Sequence, residues 1–106
     1  QHIAHAFLML TLLFSPLTLA EAVWVDVRSV FEHMADSIEG DIRISHGDIL
    51  PELSEIYPDK ATEIRLYCRS GGRASVALKA LKDAGYSNVS NAGSIEDARK
   101  ERGLAE

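Results

Sequence analysis

Cysteine is nearly missing from this sequence. A single one, Cys68, stands among 106 residues, so no disulfide can close within the chain and no second thiol can resolve an oxidised first one. Basic charge is also scarce: 11 Lys and Arg stand against 16 Asp and Glu, a net charge of −5, and no basic stripe forms anywhere. Phosphate neutralisation needs clustered Lys and Arg, which excludes nucleic acid and other large polyanions as partners. Walker, dinucleotide and zinc patterns are missing too, and no cofactor is expected. Of the 4 histidines, His2 and His5 fall in the first twenty residues. His33 and His46 have no Cys or His at ligand spacing and read as surface residues, so no metal is expected. No repeat, low-complexity tract or linker follows Ala20, which leaves room for one domain.

Residues 1–20 lack charge altogether. Their apolar part, "AFLMLTLLFSPLTLA" (residues 6–20), is short for a membrane span of ~20 apolar residues and is interrupted by Pro16. It ends in Thr18-Leu19-Ala20, small residues at the positions a signal peptidase reads. A secretory signal cut after Ala20 is expected; a cut after Ala22 would open the mature chain inside its first strand. An uncleaved membrane anchor is the competing reading. The expected product is an exported single domain, residues 21–106, monomeric and with no stable membrane insertion once the signal is cut.

The rest of the chain alternates in periodicity. "VWVDV" (residues 23–27) is short, apolar and β-branched, the pattern of a buried strand. Ser29 and Glu32 have capping-box spacing and predict a helix through about Asp36. Gly40 breaks the chain, and "DIRI" (residues 41–44) is a second, brief strand. From Asp48, Ile49, Leu50, Leu53, Ile56 and Tyr57 form a helical stripe with Pro51 in its first turn. Pro58-Asp59-Lys60 is turn chemistry. "EIRLY" (residues 63–67) reads as a strand that delivers Cys68 at its carboxyl end. "RASVALKALKDAG" (residues 73–85) is a strong helix closed by Gly85. "SNVS" (residues 87–90) is a further strand, and "SIEDARKER" (residues 94–102) a last helix closed by Gly103. Trp24, Tyr57, Tyr67 and Tyr86 read as core or pocket wall, Asp36 to Asp41 as a solvated loop, and "DARKERGLAE" as solvent-facing. Alternating strands and helices predict an α/β domain, a central mostly parallel sheet with helices on both faces. Ligands of such sheets sit beyond the carboxyl ends of the strands, where Cys68 and the pair Asp26 and Arg28 are placed to meet.

The loop after Cys68 is the most specific signal. In Cys68-Arg69-Ser70-Gly71-Gly72-Arg73 the glycines permit positive φ and close backbone approach, so successive N–H groups can face one concavity. The following helix adds unpaired N–H groups and the positive end of its dipole, and Arg69 and Arg73 add full charges. All of these favour thiolate over thiol, which predicts a Cys68 pKa below the free value of ~8.5.

"CRSGGRA" resembles the active-site loop of the rhodanese-type sulfurtransferases, Cys-Arg-Ser-Gly-x-Arg-Ser/Ala. Upstream, Asp26, Arg28, Glu32, Ile38 and Gly40 are similar to the family's Asp-x-Arg segment, its Glu and its Gly-His-Ile-x-Gly-Ala element. Ser37 stands for the usual His there, Asp36 for the first Gly, Asp41 for the Ala and Ser29-Val30 for Glu-Pro. "GYSNVSNAGS" is similar to a late Gly-Tyr-x-x-Val-x-x-Leu/Ala-Gly-Gly element, with Ser94 at the second Gly. The resemblance spans residues 23 to about 98. With "WVDVR" at its start and "YPDK" before the Cys strand, the domain resembles most the phage-shock-protein E type of single-domain periplasmic rhodanese.

The resemblance implies a small rhodanese-like fold and a periplasmic sulfur relay. Cys68 would take the outer sulfur of thiosulfate as a persulfide and pass it to cyanide or a thiol acceptor. The backbone of residues 69–73 would hold the persulfide, Arg69 would steer thiosulfate, and Arg73 would pin the loop or add positive potential. Asp26 and Arg28 would brace the loop, with Arg28 pairing Glu32 four residues on. Tyrosine-phosphatase-like sites use Cys-x5-Arg, whereas only four residues separate Cys68 from Arg73, a cradle sized for a sulfur-bearing anion. The rival reading is a non-catalytic rhodanese-fold module that binds a partner or senses oxidants or sulfur; the intact Cys and loop, and the missing second thiol, favour catalysis.

Overall fold

The computed structural model describes residues 21–105. The apolar segment of residues 1–20, where a signal is expected, lies outside them. Strand β1 spans Val23–Asp26, helix α1 Val30–Ala35, β2 Ile42–Arg43, α2 Ile49–Ile56, β3 Ile64–Cys68, α3 Gly72–Asp83, β4 Val89–Ser94 and α4 Ile95–Glu101. A single 3-10 turn, His46–Asp48, leads into α2.

The strands form one sheet in the order β2-β1-β3-β4, with every pairing parallel. The chain therefore steps from β1 outward to β2, then back across to β3 on the other side. That reversal falls between β1 and β3, where their carboxyl ends carry Asp26 and Cys68. An order reversal of this kind opens a crevice beyond the strand ends. The fold thus decides where a site can sit before any side chain is considered.

Period-two alternation along β3 builds two cores. Ile64, Leu66 and Cys68 face one side with Val25, Val27 and Val89, covered by Ile49 and Leu53 of α2 and Ala74, Ala77 and Leu81 of α3. Tyr67 faces the other with Ile95 and Ala98 of α4 and Ile38, and Trp24 and Ala92 pack against them. Each fully buried Leu or Ile here contributes roughly 1.5–3 kcal/mol of transfer free energy. The edge strand β2 is two residues long and only half-buried, a short edge that offers little template for further pairing. Among the described residues no helix is long and apolar enough to cross a membrane.

Three details depart from the sequence expectations. The fourth strand runs to Ser94 instead of ending at Ser90, because a register shift opposite Leu66 and Tyr67 lets it continue past Ala92. The stretch from Asp36 to Asp41 is largely exposed, as its composition implied, but it is anchored at both ends. Arg99 donates to both carboxylate oxygens of Asp36 (2.6 and 3.0 Å), Arg102 to both of Asp41 (2.7 and 3.0 Å), and Ile38 is buried. For the same reason α4 is not merely solvent-facing: Ile95, Ala98 and Arg99 are buried, and Arg102 lies over the Trp24 ring at 4.4 Å. The Tyr67 hydroxyl donates to Asp41 at 2.7 Å; burial first, then this bond, push it above the ordinary phenol range. It remains a neutral donor.

The bulge in β4 depends on Gly93, whose φ is +97° and where a Cβ would lie 2.5 Å from Asp97 Oδ2. That oxygen accepts the Ser94 N–H at 3.0 Å in the box that starts α4, so it cannot retreat freely. Gly93→Ala combines left-handed strain with a damaged cap and is expected to cost about 2 kcal/mol, read as a lower urea midpoint at unchanged slope.

Candidate active site

Strand β1 ends in a buried carboxylate. Asp26 Oδ1 accepts the Arg28 backbone N–H (3.0 Å) and Nε (2.9 Å), and Oδ2 accepts Arg28 Nη2 (2.8 Å). His33 Nδ1 lies 2.9 Å from Oδ2. Burial by itself would raise the Asp26 pKa, but the bonds from Arg28 and His33 outweigh it and hold the carboxyl below its usual range. Arg28 Nη2 also donates to the Asp36 carbonyl at 2.5 Å, tying the strand end to the loop beyond α1.

This corrects the expected pairing of Arg28 with Glu32. A bidentate acceptor two residues back turns the guanidinium inward, and Glu32 is left to reach elsewhere. It does so in two directions. As the third residue of α1 it accepts the Ser29 backbone N–H at 3.3 Å, completing the capping box, and the Ser29 hydroxyl at 2.9 Å; across the site it accepts Arg73 Nη1 (2.7 Å) and Nη2 (2.9 Å). The Arg73 bonds, ahead of the Ser29 bonds, hold Glu32 down to about 2 against the opposing effect of burial. Helix α1 has no buried residue, so Ser29, Glu32 and His33 are what fasten it beside the loop. His33 is accordingly not the plain surface residue its isolation in sequence implied; no spacing signal pointed to Asp26.

Cys68 ends β3 with 1% of its surface exposed. Gly71 donates its N–H to Sγ at 3.0 Å. Gly71 is the N-cap of α3 with φ +94°, and it offers no side chain to occupy the first N–H groups of that helix. Those groups turn to the sulfur instead. Burial pushes the thiol up, but the N–H groups of Ala74, Ser70, Gly71 and Arg73 outweigh it, and the thiol sits below its ordinary range. Only the first glycine of the pair needs the left-handed conformation; Gly72 begins the helix with ordinary φ. Arg69 and Ser70 stand exposed at the loop tip, and among the described residues Arg69 enters no ion pair.

The structure therefore joins Cys68, Gly71, Arg73, Glu32, Asp26 and Arg28 at one end of the sheet. A separate cleft of about 790 Å³, lined by Trp24, Asp41, Tyr57 and Arg102 among others, lies at the amino ends of the strands, away from the thiol. Chemically, the Cys68 loop can stabilise a thiolate or an anion attached to it by backbone dipoles alone.

Two measurements follow from these charges. The alkylation rate of Cys68 against pH is expected to inflect below the ~8.5 of a free thiol. Glu32 has a depressed folded pKa, so its contribution to stability is full above the unfolded value of ~4.3 and is lost as pH falls through about 2. Glu32→Gln is expected to lack that increment at neutral pH, so its unfolding midpoint converges on the parent's as both are acidified.

Comparison with known proteins agrees with this geometry. The Rhodanese-like domain family matches residues 13–100. Thiosulfate sulfurtransferase PspE of Escherichia coli strain K12 is 31% identical over 90 residues, 85% of this chain and 86% of that protein. An E. coli rhodanese solved with anions superposes with a TM-score of 0.69 at 28% identity, over 73% of this chain and 91% of its own. The human single-domain sulfurtransferase TSTD1 shares the fold, with a TM-score of 0.62 at 24% identity over 76% of this chain and 82% of its own. The chain belongs to the rhodanese-like domain family.

Proposed function

We propose that this protein is an exported thiosulfate sulfurtransferase whose persulfide carrier is Cys68. The family and the relative PspE support sulfurtransferase activity as the class; thiosulfate as donor, and cyanide or a thiol as acceptor, are the finer reading. The observation that carries it is a buried thiol receiving an N–H bond of 3.0 Å at the uncapped start of a 12-residue helix.

The Cys68 thiolate attacks the outer sulfur of thiosulfate. A bond forms between the two sulfurs, the bond within thiosulfate breaks, and sulfite leaves with the electron pair. The enzyme retains an anionic persulfide. A second nucleophile then attacks the terminal sulfur and departs as thiocyanate or as a new persulfide, returning the thiolate. In the persulfide the negative charge moves to the terminal sulfur, one S–S bond beyond Sγ, and the concave run of N–H groups that lowers the Cys68 pKa suits an anion there as well. Exposed Arg69 meets the incoming dianion. Arg73, bound bidentately to Glu32, holds the loop instead of contacting substrate, and Asp26 with Arg28 braces the neighbouring strand end. With the thiol 1% exposed, the donor must present a slim terminal atom, which suits thiosulfate. The uncharged first twenty residues support export to the periplasm.

An intact-mass spectrum of the domain (residues 21–106) after thiosulfate treatment tests the relay. One added sulfur, discharged by cyanide as thiocyanate and missing in Cys68→Ser, is the expected result. A folded protein with a titratable thiol and no added sulfur would instead favour the rival, a non-catalytic binding or sensing module.

A further inference from the structure

Asn91 has taken no part in the chemistry so far, although its side chain reaches the Cys68 loop. It lies in β4 at the register shift: Leu66 is opposite Asn91, Tyr67 is opposite Gly93, and Ala92 is the extra residue. A one-residue bulge re-aims the side chains beside it. Here it directs the Asn91 amide toward the start of α3.

All of that amide's polar atoms are engaged. Oδ1 accepts the Gly93 N–H at 2.8 Å, while Nδ2 donates to the Gly71 carbonyl at 2.9 Å and to Ser75 Oγ at 3.0 Å. The orientation follows from the partners, because the Gly93 N–H can only donate and the Gly71 carbonyl can only accept. On the other side of the same residue, the Gly71 N–H donates to Cys68 Sγ at 3.0 Å. Gly71 is thus held at both polar ends, by the sulfur at its N–H and, at its carbonyl, by Asn91 together with the Ser75 backbone N–H of the helix at 3.0 Å. Glycine has the widest backbone freedom of any residue, so one with φ +94° points its N–H reliably only if something outside fixes it. Gly93 contributes the second wall: a Cβ on Gly71 would meet the Gly93 Cα at 3.6 Å.

We propose that Asn91 is a positioning residue for sulfur transfer, one that aims the Gly71 N–H and the first N–H groups of α3 at the Cys68 sulfur. This rests on the reading of Cys68 as the sulfur carrier. Ser75 is an auxiliary anchor that ties the same amide to the next turn of the helix.

The test compares the purified parent protein with Asn91→Ala and Asn91→Leu. The Ala variant removes every bond without adding charge. The Leu variant keeps the side-chain volume with no polar atom and no charge, and it carries the test should the Ala variant fail to fold. Circular dichroism and the urea midpoint report folding, a thiolate titration by alkylation reports the sulfur's environment, and single-turnover uptake of sulfur from thiosulfate reports the chemistry. The expected result is a folded variant whose Cys68 titrates at higher pH. Its sulfur uptake, measured at a pH below the parent's own inflection, falls roughly tenfold for each unit of that displacement and recovers as pH is raised. An unchanged titration in a folded variant would overturn the proposal, as would a loss of rate equal at every pH. If the parent itself takes up no sulfur, the relay reading fails, while the alkylation titration, which needs no donor, still decides whether Asn91 aims the loop.

Discussion

A sulfur buried at the end of a central strand can hold negative charge only if donors replace the water it has lost. That constraint organises this molecule. Cys68 is almost wholly enclosed, and among the described residues no side-chain cation hydrogen-bonds to it, Arg73 adding only charge through space; backbone N–H groups serve in place of solvent. For them to converge, the chain must leave β3, turn sharply through a left-handed residue and enter α3 without a side-chain cap. A serine or aspartate at Gly71 would strain the turn and turn the first helical N–H groups away from the sulfur. The local sequence reads as a loop built for an anion because an anion is what such a loop can hold.

Around that loop, charge is paired in two tiers. The inner tier is Asp26 with Arg28 and His33, at the end of the strand beside β3. A carboxylate with no exposure is tolerable there because its oxygens accept from Arg28 and from His33. The next tier, Glu32 with Arg73, crosses from α1 to α3 and closes the loop from outside. Since α1 buries none of its residues, these polar bonds do for that helix what apolar packing does for α2 and α3. On the opposite face the pairs Arg99 with Asp36 and Arg102 with Asp41 fasten the intervening loop to α4, so the returning carbonyl of Asp36 reaches Arg28.

Much of this was readable in advance, for local reasons. The capping box of Ser29 and Glu32, the helical stripe over Ile49 to Tyr57, the strand ending in Cys68 and the glycine-rich turn all depend on residues a few positions apart. The misreadings share the opposite property. Arg28 and Glu32 have the right spacing for a helical ion pair, yet Asp26 captures one and Arg73, 41 residues away from Glu32, the other. Asp36 and Asp41 look like solvated charge until α4, some 60 residues on, brings Arg99 and Arg102 over them. His33 and Asn91 carry no motif at all; their partners come from a strand end and a bulge.

The sequence by itself determined the α/β alternation, the glycine turn that follows Cys68 and the impossibility of a disulfide within these 106 residues, because propensity, periodicity and residue count act within a few residues of themselves. Which charges meet, and what holds Gly71 in place, only the tertiary structure decided. Charged side chains are long and have several acceptable partners, so a local pattern cannot choose among them. Strand order and one extra residue in β4 make the choice, by setting which ends of the chain come within hydrogen-bond reach.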